Sequence, residues 1–387
     1  MQQIDSITIA GTTKRIELWQ GDLTAWPSGQ DVDVLIVSAF PGDYLPTRRS
    51  LVGALDRKGL SVVRLAERKD IDVRDHYGCW LSAPIEATPG MPYRYVLCFE
   101  SARMGEAPEV VGDVFRALTP IASLRPDIKT VAMPILAAGE QRYTPAEMLP
   151  PLLDAARRWL GIGHPVETLR LVTRSDASTN LAQQAFAAIR AEHVPAATAN
   201  VSEPLYDVFI SYSQKNKPLA DELLGCLKAR NPKIRVFIDQ QELTIGAAWQ
   251  VQLFESLSRS RKVVALLTPD YVASKACQEE FNIAWIRARR TGEQVLLPVY
   301  GYTASLPDWM RFWQYADCRE GDGTRMAAVA DQIEASLQDE PWMGRVDPWA
   351  PSEHSLDRMP CPRCAESIKR AAKMCRFCQL DLTATVN

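Results

Sequence analysis

No apolar stretch in this chain reaches the ~18 residues that a membrane span requires, so none is expected. No basic excess points to a nucleic-acid partner. Lys and Arg number 44 against 47 Asp and Glu, a formal net charge of −3. Met1 to Gly11 lacks a basic start followed by an apolar core, so no secretory signal is expected and the chain reads as cytoplasmic. No internal repeat is seen, which argues against a solenoid. Hydrophobic residues at 47% and charged residues at 24% exclude collagen-like and wholly disordered chains. A length of 387 residues suggests two or three domains.

What is present is cysteine, nine in all. In a reducing compartment these should be thiols or metal ligands rather than disulfides. Cys79, Cys98, Cys226, Cys277 and Cys318 are scattered and read mostly as small buried apolar residues. The other four form two close pairs near the C-terminus, Cys361-Pro-Arg-Cys364 and Cys375-Arg-Phe-Cys378. Two such pairs supply four thiolates, enough to close a tetrahedral structural zinc site with no open catalytic position. So small a segment cannot build an adequate core, and metal should provide much of its folding energy. It resembles the small zinc ribbons appended to many bacterial proteins. Five basic residues there (Arg363, Lys369, Arg370, Lys373, Arg376) face only Glu366 and Asp381, which suits docking to an unidentified partner.

Three domains emerge. Residues 1–190 mix strands and helices. Residues 191–204 (Ala191 to Pro204) lack periodicity and read as a linker. Residues 205–340 form a second α/β unit. Residues 341–358, with Pro341, Pro348 and Pro351, read as a further linker to the ribbon at 359–387.

In the middle unit, Tyr206 to Ser211 (YDVFIS) and Lys262 to Leu267 (KVVALL) are continuous apolar runs, as expected of strands buried on both faces. Ile234 to Ile238 and Gln294 to Tyr300 are further strands. Helical spacing covers Lys217 to Arg230, Trp249 to Leu257 and Cys277 to Arg290. This alternation predicts a parallel sheet with helices on its faces, and ligands bind beyond the carboxyl ends of such strands.

YDVFISYS, then FID…L…G..W, then LLTPDYVASKACQEEF resemble a Toll/interleukin-1 receptor (TIR) domain. The resemblance implies a flavodoxin-like five-stranded parallel sheet, with Asp239 to Ala248 as a loop that contacts neighbouring subunits and supports self-association. Some TIR domains only assemble; others cleave the nicotinamide–ribose bond of NAD. The enzymes carry a glutamate in a pattern like Ser-x-Trp-Cys-x-x-Glu. Here Ser274, Cys277 and Glu280 match in register, with Ala276 in place of the tryptophan; Glu279 is the adjacent alternative. The resemblance makes Glu280 the catalytic carboxylate and Trp249 an aromatic that stacks on nicotinamide. Ser211 and Ser213 could bond phosphate or ribose oxygens. Glycosidic cleavage leaves oxocarbenium-like charge on the ribose, which a fixed carboxylate stabilises.

In the N-terminal unit, Ser6 to Trp19 suggests a strand pair. Further strands are expected at Val32 to Ala39, Arg94 to Phe99, Thr130 to Leu136 and Leu169 to Thr173. Helices are expected at Val111 to Leu124 and from Pro145 to about Leu160. Trp19-Gln20-Gly21-Asp22-Leu23-Thr24, the strand to Ala39, and Pro134 to Gly139 with Pro145 downstream resemble a macro domain, a three-layer α/β/α fold that binds ADP-ribose. That resemblance implies an adenine contact from Asp22 and phosphate contacts from backbone N–H groups around Ala138 and Gly139. Ser38-Ala39-Phe40 replaces the family's Asn-Ala-x-Asn, and Pro46 to Gly53 replaces its glycine-rich loop. These departures argue against ADP-ribosyl hydrolase activity.

Two functions therefore compete. One is an NAD-cleaving enzyme with structural zinc, of the kind found in bacterial anti-phage defence or signalling, with an ADP-ribose-like nucleotide at the macro-like domain. The other is a non-catalytic scaffold that recruits protein partners.

Overall fold

The computed structural model describes residues 1–86, 90–100, 107–138, 143–191, 204–238, 256–311, 313–319, 322–338, 358–360, 367–369, 373–374 and 381. The chain divides into two compact units, 1–203 with 285–292, and 204–284 with 293–387.

The first unit is built on eight strands: β1 (Gln2–Thr8), β2 (Arg15–Gln20), β3 (Val32–Ala39), β4 (Lys69–Asp72), β5 (Cys79–Ser82), β6 (Tyr93–Glu100), β7 (Thr130–Met133) and β8 (Thr168–Thr173). They lie in the order β1-β2-β8-β7-β3-β6-β5-β4. The central pairs from β2 to β6 are parallel, and the outer pairs at both edges are antiparallel. Its helices are α1 (Leu51–Arg57), α2 (Val62–Glu67), α3 (Arg74–Tyr77), α4 (Ala107–Leu124), α5 (Pro145–Gly161) and α6 (Asp176–Ala191). Leu35 and Val37 of β3 share one apolar cluster with Val52 and Leu55 of α1 and Val62 of α2. Val34 and Ile36 are also fully buried, and alternation along a strand sends them to the opposite face. Both faces of the sheet are thus covered, giving a three-layer architecture.

Strand β7 stops at Met133, three residues before the end expected from its apolar run. Pro134 has no N–H to continue the ladder, so the chain turns there. Helix α5 begins where the sequence says it should. Thr144 accepts from the Glu147 N–H at 3.2 Å, and the Glu147 carboxylate accepts from the Thr144 N–H at 2.7 Å, a complete capping box.

The second unit carries β9 (Tyr206–Ser211), β10 (Val236–Ile238), β11 (Ser260–Leu267), β12 (Leu296–Tyr300) and β13 (Ala316–Asp317), with α7 (Lys217–Arg230), α8 (Pro269–Ala273), the part of α9 (Lys275–Thr291) up to residue 284, α10 (Asp308–Arg311) and α11 (Gly323–Leu337). The sheet order is β10-β9-β11-β12-β13, parallel throughout. This is the flavodoxin-like order, whose switch point lies between β9 and β11. Val208 and Ile210 pack with Leu219, Leu223 and Leu227 of α7 and Val329 and Ile333 of α11. By alternation Phe209 and Ser211 face the other way. Farther on, β14 (Arg358–Pro360) and β15 (Ser367–Lys369) form an antiparallel pair.

No helix among the described residues is long and apolar enough to cross a membrane.

Candidate functional site

The site of the second unit starts from Ser211, the last residue of β9. Its backbone is fixed by pairing with Ala265 of β11, next to the switch point. The side chain is 1% exposed. Its hydroxyl donates to the Glu280 carboxylate, and it lies 2.8 Å from the Tyr271 hydroxyl.

Two short capping arrangements bring Tyr271 and Glu280 there. Thr268 follows β11 and caps α8, its hydroxyl accepting from the Tyr271 N–H at 3.0 Å. That hydroxyl also donates to Asn216 Oδ1 at 2.6 Å, tying α8 to the start of α7. Ser274 then ends α8 and opens α9. Its carbonyl accepts from the Gln278 N–H at 3.0 Å, and its hydroxyl lies 3.4 Å from the Cys277 N–H. Ser274 thereby caps the start of α9.

Cys277 and Glu280 stand three residues apart on one helix face. Both are buried, and burial together with the Glu280 charge pushes the Cys277 thiol pKa well up, so the thiol stays neutral. Glu280 is the sixth residue of α9, and the first turn holds no acidic residue. A dipole-complementing role fades beyond the first turn, so the position of this carboxylate needs another reason. Glu279 is buried too, but one residue along a helix turns its side chain about 100° away.

Ser213 is 8% exposed and opens a single 3-10 turn without a side-chain cap. Trp249 and the loop Asp239 to Ala248 lie outside the described residues, as do Gly139 and the ligand-type cysteines Cys361, Cys364, Cys375 and Cys378. The sequence reading did not single out Tyr271. Its signal was present: an aromatic three residues after a Thr-Pro helix start, just before Ser274.

In the first unit, Asp22 sits half-exposed after Gly21. Its Oδ1 accepts from both the N–H and the hydroxyl of Thr24 at 2.8 Å. Burial works against its charge, but these bonds, with Arg174 and Lys58, outweigh it and hold the carboxyl below its usual range. Ala137, after β7, has φ of 56°, the only positive value at a non-glycine among the described residues. An alanine pays steric strain there, and such strain is retained where surroundings over-determine the backbone. Ala138 forms a bridge to Tyr143 across the expected phosphate-contacting loop.

The segment after Phe40 has its own anchor, which sequence reading missed. The buried Glu100 carboxylate accepts from Trp80 Nε1 at 2.6 Å, from the Gly42 N–H at 3.1 Å and from the Tyr44 hydroxyl. Burial and this carboxylate push the Tyr44 pKa up to about 12.

The C-terminal strands frame the cysteine pairs in matching fashion. Pro360, just before Cys361, pairs with Ser367, three residues after Cys364. Met374, just before Cys375, pairs with Asp381, three residues after Cys378. Both pairings are antiparallel.

Residues 208–340 match a family model described as TIR domain. Over 119 residues the chain is 28% identical to the human Toll/interleukin-1 receptor domain-containing adapter protein, covering 30% of this chain and 54% of that protein. The chain thus spans about half the length of this curated relative. Among solved structures, the Oceanobacillus iheyensis macrodomain with ADP is similar over 48% of this chain and 97% of that one, at 14% identity and a TM-score of 0.39. The TIR domain of a Toll-related receptor from Hydra magnipapillata is similar over 34% of this chain and 98% of that one, at 16% identity and a TM-score of 0.29. The TIR domain match is confined to residues 208–340, the stretch that carries the parallel five-stranded sheet from Val208 onward.

Proposed function

We propose that the TIR domain is an NAD+ nucleosidase, with Glu280 as its catalytic carboxylate. The observation that carries this reading is the Glu280 side chain, held by Ser211 at the carboxyl end of the switch-point strand. Ligands of open parallel sheets bind there. In the reaction the bond from ribose C1′ to the nicotinamide nitrogen breaks, and its electron pair leaves with nicotinamide. Water adds to C1′ and gives up a proton, forming ADP-ribose; an intramolecular adenine nitrogen in its place gives a cyclic product. Glu280 offsets the positive charge as it develops on the ribose. Trp249 stacks on nicotinamide and Ser213 contacts ribose or phosphate. TIR–TIR contacts through the Asp239 to Ala248 loop complete the pocket. The proposed setting is the bacterial cytoplasm, in anti-phage defence or signalling. Release of nicotinamide by wild type, at concentrations that drive self-association, is the test; none even when assembled sinks the enzyme reading.

A second reading, a scaffold that recruits partners without chemistry, is favoured by the similarity to a human protein named an adapter. The same assay separates the two.

The macro-like unit is proposed to bind an ADP-ribose-like nucleotide and regulate the enzyme. Asp22 is an ionised acceptor at the position the resemblance assigns to the adenine amino group. Titration calorimetry with ADP-ribose is expected to show binding that Asp22→Ala weakens about tenfold, as loss of one charge-assisted hydrogen bond would. No heat at millimolar ligand would overturn this.

Cys361, Cys364, Cys375 and Cys378 are proposed to hold one structural zinc. The repeated frame around both pairs supports this, since each presents its two cysteines at the same offset from a paired residue. Elemental analysis is expected to find one zinc per chain in the wild type and none after Cys361→Ser with Cys375→Ser. Chelation should also abolish protease resistance of residues 359–387, because metal binding supplies the folding energy. A metal-free wild type with an equally resistant tail contradicts the assignment.

A further inference from the structure

Resting on the nucleosidase reading, we propose that Tyr271 and Ser211 form a hydrogen-bonded chain that positions the Glu280 carboxylate, with Tyr271 as its distal positioning residue. The direction of the chain follows from proton counting. A serine hydroxyl has one proton, and that of Ser211 goes to Glu280. The 2.8 Å contact between Ser211 and Tyr271 must then be donated by the phenol. Each member is fixed independently. Ser211 is locked into the β9–β11 ladder, Tyr271 is fully buried with its N–H held by Thr268, and Glu280 rides on α9.

A carboxylate on a helix has three side-chain torsions of freedom, and a misplacement of about 1 Å can cost on the order of 100-fold in rate. The bond from Ser211 fixes one carboxylate oxygen and so constrains the angle the group presents to the ribose. The phenol at the far end sets where the Ser211 hydroxyl can point. Without it, that hydroxyl is freer to rotate and its hold on the carboxylate weakens. Tyr271 touches no reacting atom in this scheme, so its removal should act on kcat and only through Ser211.

The test is a double-mutant cycle on full-length protein, with nicotinamide release as the readout and melting temperature as the check on folding. Ser211→Ala is expected to lower kcat about 30-fold and Tyr271→Phe about 5-fold, each with KM within about twofold. The double variant should be no slower than Ser211→Ala alone, because a residue acting through a missing partner has nothing left to lose. Losses that multiply, losses confined to KM, or a folded Tyr271→Phe protein with full kcat overturn the chain while leaving the nucleosidase reading intact. Should Tyr271→Phe fail to fold, unchanged or raised kcat in Ser211→Ala overturns it equally. An inactive wild type overturns the nucleosidase reading, and the chain with it.

Discussion

Glu280→Gln is expected to lower nicotinamide release by about 100- to 1000-fold, with little change in KM or in melting temperature. The magnitude is that of removing one preorganised group that faces charge developing in the transition state. The choice of glutamine matters. Its amide oxygen still accepts from the Ser211 hydroxyl, so the buried hydrogen bond survives and only the charge is lost. Glu280→Ala would instead leave Ser211 with an unanswered donor in a dry site, at a cost of about 1–3 kcal/mol, mixing stability with catalysis. Glu279→Gln is the matched control, since that side chain is equally buried but leaves the helix in another direction. It should keep full turnover. The reverse pattern, with Glu279→Gln dead and Glu280→Gln active, would show that the motif has been aligned one residue out. Loss in neither variant would remove both carboxylates from the chemistry.

What the sequence makes visible depends on how each element is buried. Parallel strands with both faces covered must be apolar throughout, so β3 (VDVLIVSA), β9 (YDVFIS) and β11 stand out without any partner information. Helix α5 announces itself through Thr144 and Glu147. Strand β4 (KDID) does not, because it is a four-residue edge strand, half exposed and carrying three charges. Helix α6 buries only Thr179, Ala182 and Phe186, too sparse a stripe to read as amphipathic. Strand β13 is two residues long and owes its pairing to the neighbouring β12. The site divides the same way. The Cys277–Glu280 spacing is local and therefore legible. The contact from Tyr271 to Ser211 joins residues 60 apart, and no periodicity encodes it. Ser211 was readable as a polar residue ending an apolar strand, but not that its hydroxyl turns inward to a carboxylate. Only the parity of β9, which sends Ser211 to the face opposite α7, decides that.

Acidification from pH 7 to pH 5 is expected to cost the macro-like unit about 2 kcal/mol of stability, through His164. This imidazole is buried between α5 and β8, and its Nδ1 accepts from the Val166 N–H at 3.1 Å. The remaining proton therefore sits on Nε2, which is buried and has no hydrogen-bond partner. It meets the edge-on ring of Trp159 at 6.1 Å. The Lys14 ammonium is close by, bonded to the carbonyls of His164 and Val166. Burial first, and the Lys14 charge second, push the His164 pKa from 6.5 down to about 3. Because the folded value lies below the unfolded one, this stabilisation is complete above about pH 6.5. It is lost progressively as pH falls toward 3, by about 1.4 kcal/mol per unit. The shifted carboxyls of this unit, Asp5, Asp22, Asp72 and Glu147, are held below their ordinary values of 3.8 for aspartate and 4.5 for glutamate, so their losses begin at lower pH. His76 is also lowered by burial, against the opposing charge of Asp75, and adds to the same window. Hydrogen exchange of the β8 amides at pH 7 and pH 5, corrected for intrinsic rates, reads the effect without requiring a two-state melt of a multi-unit chain. His164→Asn supplies the decisive comparison, since its amide oxygen can still accept from Val166 while nothing titrates. Its protection should fall much less across the window, by the His76 share alone, and an equally steep loss in that variant would place the acid sensitivity elsewhere.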